Sequence, residues 1–378
     1  MKPIYLDYNA TTPIDHEVAE VIKPYLEEYF GNPSSSHWYG IQAKKAIEIA
    51  RSQVADLLDC QSDEIIFTSG GSESNNYAIK GATFANRIKG NHIITSAIEH
   101  PAVTEVCKYL ETESFRVTYL PVDEYGLVDI VKLQEAITPQ TILISLMHAN
   151  NEVGTIQPIS DISELARQNR IIIHTDAAQS VGKIPTRVNE LGIDLLSVAG
   201  HKLYAPKGIG ALFIRKGTNL EKLIHGAGHE RNKRAGTENV LGIAGLGKAC
   251  EIAKRDLKKN MAHMQSMRNS LHLGLQETLG EIRLNGHREK RLPNTLSLGF
   301  PNIEADKLLL KIKGVAASAG AACHAEHATI SHVLTAMNVP EEYAIGTIRF
   351  STGKMTTWVE IDRAIEIIAE GIQTINLK

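Results

Sequence analysis

Four cysteines in 378 residues, at positions 60, 107, 250 and 323, are too few and too far apart for a disulfide framework. No CxxC pair brings two of them together, which argues against a zinc ribbon. No apolar run approaches the roughly 18 residues that a membrane span needs. The opening MKPIYLDYNATTP has no positive stretch followed by an apolar one, so no secretory signal is expected. Lysine and arginine are scattered, and a formal net charge of −3 leaves no basic block for a nucleic-acid backbone or an acidic membrane. Neither GxxxxGK(S/T) nor GxGxxG occurs, which removes the obvious nucleotide cradles. Repeats and low-complexity segments are missing too. The expectation is a soluble, cytoplasmic protein with reduced thiols, no membrane contact and no direct nucleic-acid binding.

What is present is ordinary globular material: 43% hydrophobic and 22% charged residues, in a chain long enough for two domains or one large domain with an appendage. Between about 60 and 215, short apolar runs (EIIFT, HIIT, RVTYLPV, TILISLM, RIIIHT, DLLSVA, GALFIR) read as strands. Amphipathic stretches at 73–87, 101–113 and 158–169 read as intervening helices. Apolar strands alternating with helices predict an α/β fold: a large domain with a mostly parallel seven-stranded sheet flanked by helices. The remainder reads as a smaller α+β domain, with a long helix over 238–280, shorter helices at 304–313 and 329–338, strands TLSLGF and TIRFST, and a final helix at 357–375. The expected division is 14–258 for the large domain, and 1–13 with 259–378 for the small one.

Polar clusters follow five of the strands: SGGSE at 69–73, Glu99-His100, HANNE at 148–152, DAAQ at 176–179, and Gly200-His201-Lys202. Open α/β sheets bind ligands at these carboxyl ends, so the clusters are expected to line one site. Gly71 and Ser72 lie between a strand and a helix, where free backbone N–H groups and a hydroxyl suit a phosphate. Simple helix capping by Ser72 or Ser74 explains the same residues. Asp176 and Lys202 suit pyridoxal phosphate, which needs a carboxylate at its ring nitrogen and a lysine for its Schiff base. His100 before Pro101 is either a ring-stacking imidazole or a helix-start histidine, and Arg349 is either a carboxylate fork or half of an ion pair.

The ordered set YLDYNATTP, FGNPSSSH, SGGSESNN, SAIEH, MHANNEVG, HTDAAQ, GHK, RAGTENV and IRFSTG resembles the cysteine desulfurase and selenocysteine lyase group, fold-type I pyridoxal phosphate enzymes, from residue 4 to about 375. The resemblance implies that Lys202 carries the cofactor, Asp176 pairs with the ring nitrogen, and His100 stacks on the ring. It further implies that Gln179 and Asn151 contact the ring hydroxyl region and substrate, and that Ser72 and His201 bind phosphate. Thr237 would add a phosphate contact from the partner of a homodimer, and Arg349 would hold the substrate carboxylate. Ala199 departs from the pattern, which often has a serine there as a further phosphate ligand.

Cys323 stands in SAGAACHAEHATIS, 318–331, among small residues and beside His324 and His327. In the implied reaction L-cysteine yields alanine, and Cys323, as thiolate, takes the sulfur for delivery to an acceptor protein. GAACH is also similar to the form in selenocysteine lyases, which makes L-selenocysteine the alternative substrate. A sulfur-relay scaffold acting mainly through partners is a reading of another class. No metal site is expected from Cys323, His324 and His327, because no fourth ligand is in view. Cys60, Cys107 and Cys250 read as core thiols.

Overall fold

The computed structural model describes residues 3–324 and 327–376, and the side chains of 321–329 and of 376 lie outside that description. The seven apolar runs form one sheet: β1 (Ile65–Thr68), β2 (His92–Ser96), β3 (Arg116–Leu120), β4 (Thr141–Ser145), β5 (Ile172–Asp176), β6 (Leu195–Ala199) and β7 (Gly210–Ile214). Their order is β1-β7-β6-β5-β4-β2-β3, and only β7 runs against its neighbours.

Helices cover both faces, which is why these strands, apart from the edge strand β3, are largely buried apolar runs. Ile65 and Phe67 of β1 face one core with α1 (Trp38–Leu58), while Ile66 faces a second core with α2 (Gly71–Asn86) and α3 (Pro101–Thr112). The 40-residue α4 (Val240–Leu279) starts under Asn239, whose side chain accepts from Gly242 N–H at 3.1 Å. Its Ile243, Leu246 and Cys250 pack in the first core. Its Met267, Leu271 and Leu275 enter another core, against a smaller antiparallel sheet and α5 (Trp358–Asn376). That sheet has β8 (Arg283–Asn285), β9 (Thr295–Gly299), β10 (Ser318–Ala319) and, from further along, Thr347–Ser351.

Two expectations are corrected. The stretch 329–338 is not one helix: β11 (Ala321–His324) pairs with β12 (His327–Ile330), and a short helix begins only at His332. Ser331 sets that boundary, its hydroxyl accepting from Val333 N–H at 3.1 Å. Thr347–Ser351 is therefore β13, the strand that carries Arg349. Cys107 and Cys250 are buried as expected, but Cys60 lies beyond the end of α1 and is only partly buried. The chain leaves α1 there through Asp59 at φ 59°. Among the described residues no helix is long and apolar enough to cross a membrane.

Candidate active site

The carboxyl ends of β1, β2, β4, β5 and β6 converge on a cavity of about 340 Å³. Gly71 and Ser72 line it after β1, His100 after β2, Asn151 after β4, Asp176 and Gln179 after β5, and His201 and Lys202 after β6. Arg349 reaches it from β13. Thr237 does not: it lies by a separate hollow with Ser69, Gly208 and Arg234. Cys323 sits in β11, and its side chain lies outside the described residues, as do those of His324 and His327.

At the phosphate-like end, Gly70 takes φ 151°, which a residue with a Cβ rarely adopts. A Cβ on Gly71 would come within 3.2 Å of Ala199 Cβ, so two small residues keep that corner open. Neither serine caps α2. Ser74 is buried on Thr68 Oγ1 at 2.7 Å and Ala211 O at 3.1 Å, while Ser72 is exposed. The helix therefore offers its first N–H groups and the Ser72 hydroxyl to the cavity. Burial, then Lys202, Lys207 and Lys183, push His201 down to about 4, so its ring is neutral near pH 7.

Asp176 is buried at the far side. Its Oδ2 accepts from Asn75 Nδ2 at 2.7 Å and its Oδ1 from Ala178 N–H at 2.9 Å. Lys202 Nζ donates to the main-chain oxygens of Asn9 and Ala10, the latter at 2.8 Å. Burial first, then Arg349, bring Lys202 down to about 8 against the pull of Asp7 and Asp176. A lysine so placed is a free amine in about a tenth of molecules at pH 7, against well under a hundredth for an ordinary lysine.

His100 is a helix-start histidine whose ring also faces the cavity. Its Nδ1 accepts from Ala102 N–H at 3.1 Å at the start of α3. That acceptor role assigns the proton to Nε2, and burial holds the ring below the usual imidazole range. Arg349 is ion-paired: Nη2 donates to Asp7 Oδ1 and Ser318 Oγ at 2.9 Å each, and Nη1 to Asn151 O at 3.1 Å. Its Nε has no protein partner among the described residues.

Sequence reasoning gave no role to Asn75 and none to Asn9, whose main-chain oxygen accepts from Gln179 Nε2 at 3.0 Å as well as from Lys202. Asn9 lies in YLDYNATTP and Asn75 in SGGSESNN, yet a lone asparagine carries no spacing signal.

A cavity of this size, with a carboxylate at one side, an amine of lowered basicity and an anion cradle at one end, fits pyridoxal phosphate. The model for the aminotransferase class-V family matches residues 4–364. The chain belongs to the class-V aminotransferases. Within the family it is 50% identical to the cysteine desulfurase IscS of Dictyoglomus turgidum, over 99% of this chain and 96% of that protein. It is also 50% identical to the cysteine desulfurase IscS of Methanosarcina thermophila, over 98% of this chain and 92% of that one. A solved NifS-like protein superposes with a TM-score of 0.93 at 39% identity, covering 98% of this chain and all of the other. This class-V aminotransferase is thus of the cysteine desulfurase group, and pyridoxal phosphate is the cofactor of that group.

Proposed function

We propose that this chain is a pyridoxal phosphate-dependent cysteine desulfurase that converts L-cysteine to L-alanine and passes the sulfur, as a persulfide on Cys323, to an acceptor protein. The observation that carries this reading is Lys202, of lowered basicity, sharing one cavity with the buried Asp176 carboxylate. When bound, the cofactor supplies an electron sink for the substrate α-carbon. Ser72, His201 and the N–H groups at Gly71 would hold its phosphate, Asp176 its ring nitrogen, His100 its ring face, and Gln179 and Asn151 its hydroxyl edge.

Lys202 Nζ, as free amine, takes the α-proton. Arg349 orients the substrate carboxylate, which must displace or share Asp7. The Cys323 thiolate attacks the substrate sulfur, the Cβ–S pair stays with the carbon skeleton, and protonation at Cβ together with return of the α-proton from Lys202 to Cα gives alanine.

Residues 14–258 would act as the cofactor-binding unit, and 1–13 with 259–378 as the unit presenting Cys323. A homodimer is part of the reading, supported by an exposed aromatic strip at Phe30, Trp38 and Tyr39, with Phe30 and Tyr39 stacked at 5.1 Å. The test loads the protein with cofactor and measures alanine and enzyme-bound sulfur from L-cysteine, with L-selenocysteine at equal concentration alongside. Alanine formation lost in Lys202→Ala, and persulfide lost in Cys323→Ala, are expected. No alanine from cysteine, or a large excess from selenocysteine, overturns the assignment.

A further inference from the structure

Lys183 stands behind the cavity, 4% exposed, and forms no ion pair among the described residues. It follows Gln179 by four residues in a tight turn where Lys183 and Ile184 N–H both donate to Ser180 O at 3.0 Å. Its Nζ donates to Gln179 Oε1 at 2.7 Å and to Asn9 Oδ1 at 3.3 Å. An ammonium buried between two amide oxygens is costly. Burial, with Lys202 and Arg349 nearby, holds Lys183 well below the ordinary lysine range. A neutral amine has two N–H groups, and these two oxygens use both.

Both acceptors are amides whose other ends belong to the site. With Oε1 taken, Gln179 turns its NH2 toward Asn9 O at 3.0 Å, the carbonyl that Lys202 also reaches, and keeps a second N–H. Asn9 has no freedom to adjust. Its Nδ2 is held by Thr295 Oγ1 at 2.8 Å and Asn151 O at 3.1 Å, and its Oδ1 also accepts from Asn294 at 2.8 Å.

We propose that Lys183 is a positioning residue: its amine fixes the amide orientation of Gln179, so that an N–H and not the amide oxygen is presented to the cofactor's ring oxygen. This rests on the reading that Gln179 contacts that ring oxygen. A flipped Gln179 sets lone pairs against an oxygen anion and leaves a buried Lys183 N–H without its oxygen acceptor.

The test is the pH titration of visible absorbance in the resting, cofactor-loaded protein without substrate. A donor at the ring oxygen favours its anionic form, so losing that donor raises the midpoint. Lys183→Met and Gln179→Leu are each expected to raise it by about one pH unit. The double variant should move no further than either alone, because two residues acting through one contact do not add. A merely structural Lys183 lowers the melting temperature and leaves the midpoint in place. An unmoved midpoint in Gln179→Leu removes the reading of Gln179 and the proposal with it. A shift in Gln179→Leu alone, or additive shifts in the double variant, overturns the role of Lys183 and spares that reading. Lys183→Leu serves the same comparison where Lys183→Met does not fold.

Discussion

Asn75, buried, donates to a buried carboxylate, and such a bond is worth about 1.5–3 kcal/mol. Asn75→Ala should therefore weaken cofactor binding by roughly 10- to 100-fold, read as the apoprotein's affinity for pyridoxal phosphate; an unchanged affinity would separate Asp176 from the ring nitrogen. Lys202 gives a pH dependence. Only its free amine attacks an aldehyde, and it titrates at about 8 instead of the roughly 10.4 of a free lysine. The rate of cofactor capture by the apoprotein should rise with pH and reach half its maximum near that lower value. Arg349→Leu removes one lowering charge, so the midpoint should move up. The placing of Lys202, Asp176 and His201 in one cavity was legible in the sequence, because each stands at the carboxyl end of an apolar run. Asn75, Asn9 and Lys183 were not: their roles come from partners 101, 193 and 174 positions away, which no local pattern encodes.

His174 of β5 joins three strands, its ring held between Ser145 of β4 at 2.8 Å and Ser197 of β6 at 3.0 Å. Burial pushes it down to about 3, and burial likewise pushes His148, bonded to Ser180, down to about 4. Both are neutral when folded, whereas their unfolded counterparts take up protons near pH 6.5. Stability is therefore lost as pH falls below about 6.5, at roughly 1.4 kcal/mol per pH unit for each ring, until the folded values are reached. Urea midpoints at pH 7 and 5 should show that loss, and His174→Leu should flatten the slope while lowering stability at pH 7 by about 1–3 kcal/mol, since two serine hydroxyls lose their partner. All seven strands were legible at this scale, six because burial on both faces leaves an apolar run and the edge strand β3 because its valine and tyrosine alternate with polar residues. The reversed direction of β7 was not, since an apolar run carries no sign of its direction. The hairpin of β11 and β12 was hidden for another reason: HATI is too short for periodicity to separate a strand from the start of a helix.

Thr237 belongs to a loop that is held firmly yet stays out of its own chain's cavity. Glu230 anchors the loop through both carboxylate oxygens to Arg51 at 2.8 Å each, and also accepts from Phe67 N–H at 2.8 Å. Arg234 adds a fork on Glu73 at 2.9 and 3.1 Å. Glu230, Arg231 and Asn232 take φ of 44°, 55° and 62°, three successive left-handed residues that few loops tolerate without such anchors. Glu230→Ala strands a buried guanidinium, so a loss of about 3–5 kcal/mol is expected in thermal or urea unfolding. The geometry makes sense if the loop is shaped for a second copy, where Thr237 would reach the partner's phosphate. Two consequences separate that arrangement from a self-sufficient monomer. Cofactor affinity should fall as the apoprotein is diluted through its dimer dissociation, and Thr237→Val should weaken it about tenfold above that concentration and not at all below it. Equilibrium binding followed at several protein concentrations, with the oligomeric state measured at each, reads both; an affinity independent of concentration returns Thr237 to an ordinary loop residue.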